Sequence, residues 1–161
     1  MKLEGVDMDD RSEKEIVVLA HCLMNSSSRL KGIRKSSAID TEAMNVIQLP
    51  CPEMIYLGLN RWEITKEQVD HPNYRRFCRR LFRPFADMIE QFSNAGMRIR
   101  IIGVPKSPSC GSEVITIGGE GGRVKEFKHE HVKGVGVFFE EIENELVSRS
   151  VLFTIEDSGD M

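Results

Sequence analysis

Long apolar runs are missing from this sequence. None approaches the roughly 18 residues that cross a bilayer, so no membrane span is expected. The opening residues, Met1-Lys2-Leu3-Glu4-Gly5-Val6-Asp7, are too acidic and polar for a secretory signal, which points to a cytoplasmic protein. Basic charge is not in excess either. With 22 Lys and Arg against 25 Asp and Glu the formal net charge is −3, which argues against nucleic acid as a partner. Closely spaced cysteine pairs, the mark of zinc ribbons and bacterial ferredoxins, are absent among the four cysteines. The run Gly118-Gly119-Glu120-Gly121-Gly122 lacks the helix that must follow directly in a phosphate loop, so it reads as the turn of a β-hairpin. There is no internal repeat and no sign of a second domain; 161 residues with 40% apolar composition suit one core.

Against these absences stand three β-branched, apolar runs that each end in a cysteine. Residues 15–20 lead through His21 to Cys22, residues 45–50 lead to Cys51-Pro52-Glu53, and residues 99–104 lead to Pro105-Lys106-Ser107-Pro108-Ser109-Cys110-Gly111. Prolines after the third run exclude both a helix and a continued ladder, so the chain leaves that strand in an extended turn. In an open parallel sheet, ligands collect at the carboxyl ends of the strands. The order of patterns predicts such a sheet. A helix is expected over about 73–95, where Phe77, Leu81, Phe82, Phe85, Met88, Ile89 and Phe92 recur at helical steps, with Pro84 kinking it or starting a second helix. Asn94-Ala95-Gly96 is its expected stop. A short helix is expected within 36–44, capped by Ser37 or Asp40. A hairpin is expected near 114–127 with strands at 114–117 and 124–127, then a helix at 134–149 and a last strand at 151–155. The fold class is therefore α/β: one domain over 15–157, with a mainly parallel, Rossmann-like sheet flanked by helices and the hairpin as an insertion. Residues 1–14 read as a flexible tail.

In a reducing compartment four cysteines serve as ligands, nucleophiles or buried thiols rather than disulfides. Cys78 falls on the apolar stripe of the long helix and reads as core. The other three are about 30 and 60 residues apart, a spacing compatible with a shared metal or cluster and equally with unrelated buried thiols. Three ligands are too few for a closed zinc site, which takes four; three ligands and an open position mark a catalytic metal, or a four-iron cluster with one iron open. His21 is expected to pack or bond the backbone. Trp62, the lone tryptophan, suits core or pocket wall equally. Arg29, Lys31, Arg34 and Lys35 form a small cationic cluster that reads as a solvated loop.

Four stretches carry a family resemblance: His21-Cys22-Leu23-Met24-Asn25 with Ser28-Arg29, Gln48-Leu49-Pro50-Cys51-Pro52-Glu53, Tyr56-Leu57-Gly58-Leu59-Asn60-Arg61-Trp62, and Ser107-Pro108-Ser109-Cys110-Gly111. In this order they resemble the thiouracil desulfidases (TudS) and a related desulfidase subgroup, over roughly residues 15–155. The resemblance implies a [4Fe-4S] cluster on Cys22, Cys51 and Cys110, whose non-ligated iron takes the sulfur of a thiolated small molecule. It implies Glu53 as acid/base and Ser109 as a polar partner beside the cluster. Asn25, Arg29 and Arg61 are its candidates for orienting the base or nucleotide. The reaction implied is non-redox hydrolysis of C=S to C=O on a thiouracil-like thiobase or nucleotide, by a monomer or homodimer. A non-catalytic iron–sulfur or zinc protein, serving structure or electron transfer, is the alternative.

Overall fold

The structure is a computed structural model that describes residues 14–29, 39–118 and 129–159. Its elements run β1 (Glu15–Leu19), α1 (His21–Met24), a 3-10 turn (Ser26–Ser28), β2 (Asn45–Gln48), α2 (Pro52–Leu57), α3 (Lys66–Val69), α4 (Pro72–Asn94), β3 (Arg98–Gly103), β4 (Val114–Ile117), β5 (Glu130–Lys133), α5 (Val137–Ser148) and β6 (Thr154–Asp157). Four strands form one parallel sheet in the order β2-β1-β3-β6, and β4 and β5 form a separate antiparallel pair. The expected α/β sheet with a hairpin insertion is thus present.

β1 lies in the middle of the sheet and has no polar face: Ile16, Val17, Val18 and Leu19 are all buried, as a two-sided parallel strand requires. The crossovers β2-α4-β3 and β3-α5-β6 both step the same way across the sheet. Right-handed connections therefore put α4 and α5 on one face. They pack on each other there, with the rings of Phe82 and Phe138 edge to face at 6.3 Å. Arg75 ties the pair further, reaching Glu140 at 2.9 Å and the buried Glu141 at 3.0 Å.

α4 is one helix that runs through Pro84, so no second helix begins there. Pro84 removes the hydrogen bond that would reach back to the Arg80 carbonyl, and both residues are exposed, where water can serve instead. The helix starts on His71, whose Nδ1 accepts from the Tyr74 N–H at 3.2 Å, and stops at Gly96, at φ 91°.

Three boundaries move, and one expected helix is replaced by a turn. The expected strand at 124–127 falls outside the described residues, and the partner of β4 is Glu130–Lys133. The last strand begins three residues late, at Thr154, because Ser150 turns the chain at φ 58° and the Val151 N–H is still bound to the Leu146 carbonyl. α5 begins at Val137, because Gly134 and Gly136 still donate to loop carbonyls, those of Glu113 and Gly111. Residues 39–44 form no helix. Asp40 instead accepts from the Glu42 N–H at 3.1 Å in a local turn, while Ser36, Ser37 and Ala38 lie outside the described residues. The expected tail lies outside them as well, apart from Lys14, as do Lys31, Arg34 and Lys35 of the cationic cluster. Among the described residues no helix is long and apolar enough to cross a membrane.

Candidate metal centre

Three of the four cysteines sit where three neighbouring strands end. β2, β1 and β3 are adjacent in that order, and the chain reverses direction across the sheet at β1, the kind of switch point where open α/β sheets bind ligands. In the register Leu19 pairs with Gln48, and Cys22 and Cys51 each follow three residues later. Cys22 lies in α1 and Cys51 caps α2, its Sγ accepting from the Met54 N–H at 3.4 Å, with Pro52 as the first helical residue. Cys110 lies on a longer turn after β3.

That turn is closely specified. The Ser107 hydroxyl accepts from the N–H groups of Ser109 at 3.3 Å and Cys110 at 3.0 Å, and the Val104 N–H returns to the Cys110 carbonyl at 2.8 Å. The start of α5 docks on its outer side, with the Val137 and Phe139 N–H groups on the carbonyls of Pro108 and Ser109. Gly136 is necessary for that approach, since a Cβ there would stand 2.5 Å from the Ser109 oxygen.

All four cysteines are free thiols. Burial raises the Cys110 thiol well above its ordinary range, and neighbouring Cys51 and Cys22 raise it further. Burial pushes Cys22 up to about 11; Arg29 opposes this, while Cys51 and Glu53 add to it. Cys51 is raised as well, by burial first. Cys110 thus feels the charges of Cys51 and Cys22, and Cys22 feels that of Cys51. Ionising buried thiols together is costly, and a bound polycation would offset that cost. Among the described residues no group of three or more His, Cys, Asp or Glu side chains is arranged to hold a metal ion. Thiolates around one ion stand about 3.8 Å apart at ordinary bond lengths. The cysteines of a four-iron cluster each bind a different iron, so such a group would not need them around one ion.

Glu53 follows Cys51 by two residues and is 5% exposed. Its Oε2 accepts from Arg61 Nε at 3.2 Å, whereas Oε1 is buried with no partner. A buried acceptor left open is costly unless something donates to it, which makes Oε1 the candidate contact for a ligand N–H or a water. Arg61 also donates to the Gly58 carbonyl at 3.2 Å and the Ser28 carbonyl at 2.9 Å, with its Nη2 4.0 Å from Cys51 Sγ. Its guanidinium thereby ties the segment after Cys22 to the one after Cys51. Ser109 is fully buried, its hydroxyl 2.8 Å from that of Tyr74. Burial, then the charge of Glu53, pushes the Tyr74 hydroxyl far up and keeps it protonated.

The remaining candidates are placed as follows. Asn25 is exposed and caps the 3-10 turn, accepting from the Ser27 N–H at 3.1 Å. Arg29 is half-buried beside Cys22. His21 Nδ1 meets Gln48 Nε2 at 3.0 Å, a side-chain partner where packing or a backbone bond was expected. Trp62 is 41% exposed, which removes it from the core. Cys78 is fully buried within α4, as its place on the apolar stripe predicts. Tyr74 escaped the sequence reading, although a tyrosine on a buried stripe must find a partner for its hydroxyl.

In comparisons with known proteins, the chain is 30% identical over 105 residues to "Uncharacterized protein MJ0003" of Methanocaldococcus jannaschii, covering 60% of this chain and 67% of that one. No family model matches the sequence, and no solved structure matches it.

Proposed function

We propose that this chain, which belongs to one family with that Methanocaldococcus jannaschii protein, is an iron–sulfur-dependent desulfidase acting on a thiolated heterocycle. The observation that carries the reading is that three free cysteines follow the ends of three neighbouring strands, with a buried carboxylate two residues beyond one of them whose Oε1 has no partner. Cys22, Cys51 and Cys110 would hold a [4Fe-4S] cluster. When bound, that cluster would supply an open, soft-ligand Lewis acid suited to a thiocarbonyl sulfur.

The protein's own share of the chemistry is positioning and proton handling. Arg61 holds Glu53 by Oε2 and leaves Oε1 as the acceptor for a ring N–H or for the proton of an attacking water. The Ser109 hydroxyl, fixed by Tyr74, keeps acceptor capacity for a substrate donor. Water adds to the thiocarbonyl carbon, the C–S bond breaks, and the products are the oxo-heterocycle and hydrosulfide. No electrons are gained or lost overall.

The test is anaerobic reconstitution of the purified chain, iron and acid-labile sulfide analysis, and then incubation with thiouracil and thiouridine. Iron near four per chain is expected, with sulfide and oxo product released in equal amounts without reductant. Glu53→Gln should keep its iron and lose roughly 10² in turnover, the usual scale for general acid–base catalysis. A colourless, iron-free chain, or a loaded chain that needs an electron donor, contradicts the proposal.

A further inference from the structure

Asp157 is the last residue of β6 and lies beside Gly103, the last residue of β3. Its carboxylate accepts four hydrogen bonds from the segment that leaves Cys110. Oδ1 takes the Ser112 N–H at 2.7 Å and the Ser112 hydroxyl at 2.9 Å, and Oδ2 takes the N–H groups of Glu113 at 2.9 Å and Val114 at 3.2 Å. The fit around it is close. A Cβ at Gly103 would lie 2.4 Å from the Cys110 carbonyl oxygen and 2.9 Å from Asp157 Oδ1, so both reach this position only because glycine ends the strand. Ser107 fixes the backbone before Cys110, and Asp157 fixes the backbone after it.

We infer that Asp157 is the positioning residue that sets the Cys110 sulfur for the metal group; the inference rests on the cluster reading above. Asp157 touches no substrate. It acts through the Gly111–Val114 backbone, as partners behind metal ligands do when they fix ligand orientation. An amide in its place keeps the shape but turns an NH2 group toward two of the donors, so the segment loses half its acceptors.

The experiment uses the full chain reconstituted anaerobically with iron and sulfide. Iron loss to a ferrous chelator is followed by absorbance for wild type, Asp157→Asn, Ser112→Ala and, as a distant core control, Ile142→Val. Asp157→Asn should lose iron roughly ten- to a hundredfold faster, the scale for such outer partners. It should also change the electron paramagnetic resonance signal of the reduced cluster. Ser112→Ala, which removes only the hydroxyl bond, should shift both in the same direction by less. It also provides the reading if the Asn variant fails to fold. Ile142→Val should lower the melting temperature of the iron-free chain yet leave iron loss and signal at wild type. Iron loss within twofold of wild type in both loop variants, or equal acceleration in the core control, overturns the assignment alone. A wild-type chain that takes up no iron overturns the cluster reading and this inference with it.

Discussion

Cys78 and Cys110 are 0% and 8% exposed, and burial raises both thiols. Exposure therefore does not separate them, and their surroundings do. Cys78 lies inside α4 on the stripe that also buries Phe82, Ala86 and Ile89. After burial, its thiol responds most to Glu141, the acid that pairs with Arg75 and Arg79 between α4 and α5. Cys110 lies on an extended turn whose backbone is held by Ser107 and Asp157. After burial, its thiol responds most to Cys51 and Cys22. Burial makes a thiol inert when its neighbours are a helix stripe. Under the cluster reading, a buried thiol with other thiols near it at strand ends would serve as a ligand.

The largest expected effect is all or none. Under anaerobic reconstitution, Cys22→Ser, Cys51→Ser and Cys110→Ser should each fail to retain iron, whereas Cys78→Ser should load like wild type. Loading in all three strand-end variants, or failure only in Cys78→Ser, would erase the distinction.

The next effect concerns reactivity. With its thiol pushed up to about 12, Cys78 should be alkylated at pH 8 on the order of a hundredfold more slowly than a free cysteine, even before access is counted. The same shift has a stability consequence. A thiol whose folded value is raised stabilises the fold below its ordinary value of 9.0, and that stability is lost as pH climbs towards about 12, because the unfolded chain releases the proton first. Denaturant titrations of the iron-free chain should show a decline above pH 9. The decline should be shallower in Cys78→Ala and not abolished, since the raised Cys22 and Cys110 thiols contribute to it as well. An unchanged slope in that variant would mean that Cys78 is not held protonated.

The smallest effect sharpens the comparison, because Tyr74 touches both regions. It lies one turn before Cys78 on α4 and bonds the Ser109 hydroxyl next to Cys110. Tyr74→Phe leaves a buried hydroxyl without its partner and should cost about 1–3 kcal/mol in a denaturant titration, with iron content retained. Loss of iron would show that the hydroxyl pair is needed to hold the Cys110 turn.

Much of the fold is legible in the residues. β1 reads as a central strand because its side chains are apolar on both faces, and α4 because its stripe recurs over about four turns. The misread boundaries lie where the deciding contact comes from elsewhere in the chain. β6 starts late because the end of α5 holds Val151, and β5 is found only by its pairing with β4.

The candidate site divides in the same way. The sequence by itself determined the three strand-end cysteines, the core placement of Cys78 and the nearness of Glu53 to Cys51, because each follows from local pattern and short spacing. Only the tertiary structure decided that β2, β1 and β3 are neighbours, since strand order depends on crossovers that no local pattern encodes. It alone decided that Arg61 holds Glu53 by one oxygen, that Tyr74 meets Ser109 and that Asp157 grips the turn after Cys110. Those partners are 8, 35 and 45 residues apart along the chain. A hydrogen bond depends on distance in space, and only the packed sheet and helices bring those atoms within 3.2 Å.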